Sequence, residues 1–332
     1  MEAGTLTRGG RSSLERPPPA RLPDRALRYG LLGLSLAVLA LLVVFFFVLI
    51  DDSREVLAKQ GVAGFLLDND WNPARDQFGA LPLVVGTLVT SGLALLIGVP
   101  VAVASALFVT ELAPARGRGL LVTLVELLAA VPSVVYGLWG VFVLIPALKP
   151  AMQWMADTFS FLPFVGGTVA GPSYFIAGLI LAIMIVPIVS AISREVISTV
   201  PRDQKEAALA LGATRWEMIR MAVLPYSRAG ITGAAMLGLG RAIGETIAVT
   251  LVIGNAATIG KQVFDQGYSL AAVIANEFGE ASADPLHRSS LLAAGLVLFL
   301  LTLLVNGVAR GFVVRAERGR KVTSLAVTEA EA

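Results

Sequence analysis

Apolar residues gather in six long blocks, and the connections between them hold nearly all of the charge. The blocks are approximately Tyr29–Ile50, Leu83–Val109, Leu120–Leu148, Pro172–Ile192, Ala229–Asn255 and Ser290–Ala309. Each reaches the roughly 20 residues that an α-helix needs to cross the hydrocarbon core of a bilayer. The pattern predicts an all-α, polytopic membrane protein with six transmembrane helices. It divides the chain into a disordered basic arm over 1–28, a first transmembrane helix over 29–50, an extracytoplasmic loop over 51–80, a helical core over 81–312 and a tail over 313–332. The first apolar block is too long for the core of a signal peptide and lacks a small-residue cleavage site, so it reads as a retained span.

Charge in the connections sets the orientation. Arg8, Arg11, Arg16, Arg21, Arg25 and Arg28 precede the first block, and Arg310, Arg315, Arg318, Arg320 and Lys321 follow the last. Basic flanks stay on the cytoplasmic side, so both termini are expected there, which requires an even number of crossings. The intervening connections alternate accordingly. Residues 51–80 hold six acids against three cations, Arg116 and Arg118 mark the next turn as cytoplasmic, and 149–171 is aromatic with a single lysine. Residues 193–228 are rich in arginine, and 256–289 again hold more acids than bases.

Composition agrees with the pattern. Of 332 residues, 56% are hydrophobic and 15% charged, against about 25% charged in soluble domains. The net charge of +2 reports orientation rather than affinity for nucleic acid. The chain has no cysteine, which excludes disulfides and thiolate metal sites. Its single histidine, His287, lies beside Pro285 with no ligand-forming companions, so no metal site is expected.

Two charges stand out because they sit inside an apolar block. Arg241 and Glu245 are the only charged residues between Ala229 and Asn255, and a charge at the centre of a membrane helix costs about 2.5–3.5 kcal/mol on insertion scales. On a continuous helix, residues four apart share a face and can touch. Two readings follow: a structural ion pair that locks helices together, or a guanidinium fork placed to receive a passing oxyanion. Glu126, in the third block, either snorkels to the cytoplasmic interface or joins a polar lining. Pro100, Pro132 and Pro187 predict kinks within spans.

The connection from Pro201 to Pro225 reads as a short alanine- and leucine-rich helix, a stop at Gly212, and a second amphipathic helix broken by Pro225. It suits either the groove of another protein or the lipid surface.

Glu206-Ala207-Ala208, Gly212 and Leu224-Pro225 resemble the EAA loop of binding-protein-dependent ABC importer permeases (type I, MetI-like), with a departure at Ala222, where isoleucine is usual. Glu126 to Gly140, Gly238 to Val249, Ile253-Gly-Asn255, Trp71-Asn-Pro73, Gly79 to Pro82 and Gly86-Thr87 are similar to the C-type permeases of phosphate-specific importers rather than to their A-type paralogues. The resemblance covers about residues 25 to 315. It implies a six-helix permease in the inner membrane that forms half of a phosphate pathway, with Arg241 and Glu245 on that pathway. Glu206, Ala207, Ala208, Gly212, Leu224 and Pro225 would couple to an ATPase. The implied partners are an A-type permease, two ATPase subunits that bind ATP and magnesium, and an extracytoplasmic phosphate-binding protein. No Gly-x-x-x-x-Gly-Lys-[Ser/Thr] phosphate loop occurs in the chain, so it binds no cofactor itself and is not expected to be an enzyme. The alternatives are a permease for a related oxyanion, a secondary anion transporter or a membrane scaffold. Internal repeats expected of a secondary transporter are not detected.

Overall fold

The computed structural model describes residues 22–162, 164–166 and 169–330. In order, the elements are α1 (Leu22–Asp52), α2 (Arg54–Leu67), β1 (Trp71–Asn72), β2 (Gln77–Phe78), α3 (Leu81–Leu107), α4 (Ala115–Ala130), α5 (Ser133–Trp139) and α6 (Ile145–Thr158). They continue with α7 (Tyr174–Ser198), α8 (Arg202–Ala210), α9 (Arg215–Met218), α10 (Leu224–Gly244), α11 (Ile247–Val252), α12 (Leu270–Glu277) and α13 (Pro285–Ala330). The two short strands pair antiparallel, Trp71 opposite Phe78. Most of the expected basic arm lies outside the described residues, but its last part is helical, because α1 begins at Leu22 and not at Tyr29.

Among the described residues, five helices are long and apolar enough to cross a membrane: Ala26–Asp52, Leu81–Leu112, Ser133–Thr158, Tyr174–Ser198 and Pro285–Gly311. The expected third block, Leu120–Leu148, is not one helix. Val131 leaves the helical region with ψ 126°, as the ring of Pro132 requires of the residue before it. The crossing helix therefore starts at Ser133 and runs to Thr158, and the segment around Trp154, expected as an outer connection, is helical. The expected fifth block is also interrupted. α10 has 21 residues, about 30 Å at 1.5 Å per residue. It ends at Gly244, and α11 follows as a separate piece.

Prolines elsewhere are absorbed rather than breaking the chain. The Leu224 N–H bonds to the Ile219 carbonyl and the Ile145 N–H to the Gly140 carbonyl, each one residue ahead of a proline. These widened π turns make room for the ring, which in a regular helix clashes with the carbonyl four residues back. Pro225 therefore does not break the second cytoplasmic helix, contrary to the sequence expectation: α9, the π turn and α10 follow one another without leaving the helical region.

Packing centres on α7, whose Ile176, Ile180, Ile185 and Val189 are fully buried. α3 lies along it at glycine distance: a Cβ at Gly178 would come within 2.6 Å of Leu93. Bilayer lipid is as apolar as leucine, so such close backbone approach, rather than apolar burial alone, holds membrane helices together. A second cluster, with Phe65, Trp71, Phe78, Leu83 and Tyr268, caps the end of the bundle where α2 and α12 lie. There the Trp71 Nε1–H donates to Glu277 Oε2 at 3.0 Å, and His287 Nε2 lies 2.9 Å from the same oxygen with its ring stacked on Phe78. A third cluster, Ala106, Ile197, Val200, Met218, Ile219 and Val223, seats α8 and α9 at the opposite end.

Candidate functional site

Arg241 and Glu245 are not an ion pair. Among the described residues no salt bridge joins them, because the helix that would align them stops between them. Gly244 ends α10, and Glu245 takes an extended conformation with ψ 126°. Its carboxylate turns to the next helix, where Oε1 accepts from the Ala248 N–H at 3.4 Å. Each charge thus sits at the helix end whose dipole suits it, arginine in the last turn of α10 and glutamate at the start of α11. Neither needs the other for compensation.

The break leaves the guanidinium without a fixed partner. Arg241 is exposed, with no hydrogen bond or ion pair to another described residue, and its charge acts on the phenol of Tyr136. Tyr136, buried in α5, is itself held by donating to the Leu128 carbonyl at 2.8 Å. α11 packs closely on α5, since a Cβ at Gly137 would meet Ala248 Cα at 3.1 Å. A discontinuous helix at membrane depth is tolerated where it lies in protein or lines a cavity.

Glu245 bonds across the break, so its loss should act in part through structure. Glu245→Ala removes an acceptor at a helix start, which costs about 0.5–2 kcal/mol. It should lower the thermal unfolding midpoint of the purified protein, whereas Glu245→Gln, which keeps an acceptor oxygen, should not. Equal midpoints for alanine and glutamine would remove the capping role.

At the other end, the turn after α8 is a complete C-terminal cap. The Gly212 N–H bonds to the Leu209 carbonyl at 3.0 Å and the Ala213 N–H to the Ala208 carbonyl at 3.2 Å. Gly212 has φ +86°, and a Cβ placed on it would meet nothing within 4 Å. Its requirement is conformational rather than steric, since a side chain in this left-handed region costs about 1–2 kcal/mol. Thr214 then opens α9 in a reciprocal box with Glu217. The Thr214 backbone N–H, and then its hydroxyl, hold the Glu217 carboxyl below its ordinary range. That contribution is present above the usual carboxylate range and is lost as pH falls through the lowered value.

The structure separates the predicted coupling residues into two faces. Glu206 and Ala207 are exposed, whereas Ala208 and Leu224 pack on the chain's own cluster around Ile197 and Met218. Ala208 was expected to meet a partner groove; it is half-buried, with part of its surface against the chain's own cluster. Leu211 at 90% and Trp216 at 64% exposure, with Leu209 and Met221, are the exposed large apolar side chains of this segment. These residues were not legible in the sequence, because exposure of single apolar residues carries no periodic signal.

α8 is tied to the bundle by an ion pair that sequence did not reveal. Lys205 Nζ lies 2.6 Å from Glu111 Oε1, with both side chains more than four-fifths buried. Nearby, Arg194 on α7 bonds to Glu126 Oε1 at 2.9 Å, and Glu126 remains about half exposed. Glu126 therefore ties α4 to α7. Among the described residues no group of three or more histidines, aspartates or glutamates could hold a metal ion.

The model of the family described as "Binding-protein-dependent transport system inner membrane component" matches residues 95–318. The chain belongs to this family. It is 46% identical to the phosphate transport system permease protein PstC of Pasteurella multocida (strain Pm70) over 264 residues, 77% of this chain and 82% of that protein. PstC 2 of Mycobacterium tuberculosis (strain ATCC 25618 / H37Rv) is 42% identical over 301 residues, 88% of this chain and 92% of its own length. Among solved structures, a chain of a bacterial ABC transporter involved in the import of the acidic polysaccharide alginate matches with a TM-score of 0.59. That match has 20% identity and covers 89% of this chain and 99% of the other. The fold is that of an ABC importer permease in the inner membrane. The matched range holds the whole of α7 to α12, and with them the helix break and the turn at Gly212.

Proposed function

We propose that the chain is the membrane permease subunit of an ATP-driven phosphate importer and forms half of its translocation pathway. The observation that carries this reading is the unpaired Arg241 at the helix break, in a chain whose relatives are phosphate permeases. A planar guanidinium offers a fork of donors that matches a tetrahedral oxyanion. In this reading α10 is the sixth crossing, and both termini are cytoplasmic. The partners are an A-type permease, two ATPase subunits that bind ATP and magnesium, and an extracytoplasmic phosphate-binding protein. The exposed Leu211 and Trp216 dock on an ATPase subunit.

The test is purification of the tagged chain from its own membranes, with identification of what co-elutes. A second permease and an ATPase, whose hydrolysis rises when phosphate-loaded binding protein is added, support the reading. A chain that purifies alone yet still moves phosphate would favour the secondary transporter.

Lys205 supplies a second check. Removing one member of a buried ion pair costs about 3–5 kcal/mol because the other charge is left uncompensated. Lys205→Met should loosen α8 on the bundle, so that ATP is still hydrolysed but less phosphate enters per ATP. The charge swap Lys205→Glu with Glu111→Lys should recover part of the ratio. An unchanged ratio in Lys205→Met would show that coupling does not pass through this pair.

A further inference from the structure

The side of α10 that carries Arg241 opens on a cavity of about 960 Å³ between α10 and α13. Gly233, Leu237, Gly240 and Arg241 line one wall, and Asn306 and Arg310 line the other. The walls are mainly apolar, and the polar groups are few, each with N–H donors: two guanidinium groups and an amide. Among the described residues no carboxylate lines the cavity. Asn306 and Arg310 are four residues apart on α13 and so share a face, and a Cβ at Gly240 would lie 3.9 Å from Asn306 Nδ2. The amide thus sits beside the turn of α10 that bears Arg241.

None of the three side chains has a hydrogen bond or ion pair with another described residue. That is costly for Asn306, half-buried within the crossing segment Pro285–Gly311, where polar side chains are expected to find partners. Small-molecule sites are concave, mostly apolar and furnished with a few convergent polar groups, as this cavity is.

We infer that the cavity is a second oxyanion station, in which Asn306 and Arg310 receive a phosphate group after Arg241. The inference rests on the phosphate-import reading and extends it to α13. The polar groups run from Arg241, beside the helix break, to Arg310, at the end of the crossing segment. An anion leaving Arg241 meets the amide donors of Asn306 next and then a second guanidinium. A series of sites, each holding the ion weakly, lets it both bind and leave.

The same chemistry would accept the phosphate of a lipid headgroup, so the test must separate the two sources. The complete importer, with its ATPase and binding protein, is reconstituted in phosphatidylcholine with and without phosphatidylglycerol. Labelled phosphate uptake and ATP hydrolysis are then measured for wild type, Asn306→Leu, Arg310→Gln and Arg310→Lys. Asn306→Leu is close in size and leaves the basic flank intact; Arg310→Lys keeps the charge that orients the helix. Loss of a hydrogen bond to a charged group predicts about a tenfold fall in uptake for Asn306→Leu in both lipids. Binding-protein-stimulated hydrolysis should persist, with Arg310→Lys less impaired than Arg310→Gln.

Normal uptake by Asn306→Leu and Arg310→Gln in both lipids would overturn the inference and leave the import reading standing. A defect confined to vesicles with phosphatidylglycerol would assign the cavity to a lipid headgroup and overturn the translocation role. If the wild-type complex takes up no phosphate, the import reading fails and the inference falls with it.

Discussion

Replacing Arg241 by lysine should abolish most phosphate uptake while the subunit still inserts and assembles. Lysine keeps the positive charge at the C-terminal end of α10, so the helix-end electrostatics survive. It loses the planar fork, and its ammonium group is compact and more strongly hydrated. Since Glu245 bonds to Ala248 and not to Arg241, the substitution breaks no ion pair among the described residues. A fall in uptake then reports on the passing anion alone. A charge-assisted hydrogen bond contributes about 1.5–3 kcal/mol, so the rate should drop by roughly ten- to hundredfold. The measurement is the initial rate of labelled phosphate uptake at equal amounts of assembled complex. A lysine variant within about twofold of wild type, a difference well under 1 kcal/mol, would remove Arg241 from the pathway.

The second large effect should come from Leu211. At 90% exposure it is the most open of the large apolar side chains on the described surface, and it sits at the C-cap of α8 immediately before Gly212. Leucine in this position has nothing to bury against within the chain, which fits an apolar groove on a partner. Leu211→Asp places a charge in that groove at a cost to the permease fold of only about 0.3–1 kcal/mol, from the helix dipole at the C-cap of α8. It should reach the membrane in normal amounts, and the ATPase should no longer co-purify with it. Gly212→Val acts differently: the left-handed φ of +86° resists a β-branched residue, so α9 would re-aim relative to α8. It should retain some ATPase but lose stimulation by loaded binding protein. Normal ATPase recovery and normal stimulation in both variants would mean that this turn lies on lipid.

The crossing helices were legible because length and apolarity act together over some 20 residues. What the apolar runs concealed were their internal breaks. Val131-Pro132 and Glu245-Thr246 both lie within blocks that read as continuous, since hydropathy does not register backbone direction. At Pro132 the ring decides the break through its neighbour's ψ angle, whereas Pro146 and Pro225 are accommodated by π turns just before them. The Gly212 stop was legible because left-handed backbone selects glycine. The packing of Ala208 on the chain's own cluster and the pairing of Lys205 with Glu111 were not, since both depend on how α8 folds back onto the end of α3 and on Ile197. Arg241 and Glu245 illustrate both cases. Their presence in an apolar run marked the site, and their spacing gave the wrong contact, because a four-residue relation holds only on an unbroken helix.

In the proposed function this chain, with Arg241 free to hold an oxyanion, is one half of an ATP-driven phosphate pathway. The most direct measurement is accumulation of labelled inorganic phosphate in proteoliposomes that contain the wild-type complex. Phosphate should accumulate against its gradient only when ATP is supplied at the ATPase face and phosphate-binding protein at the opposite face. Accumulation driven by an ion gradient without ATP, or ATP-driven uptake of another solute with phosphate excluded, would contradict the account.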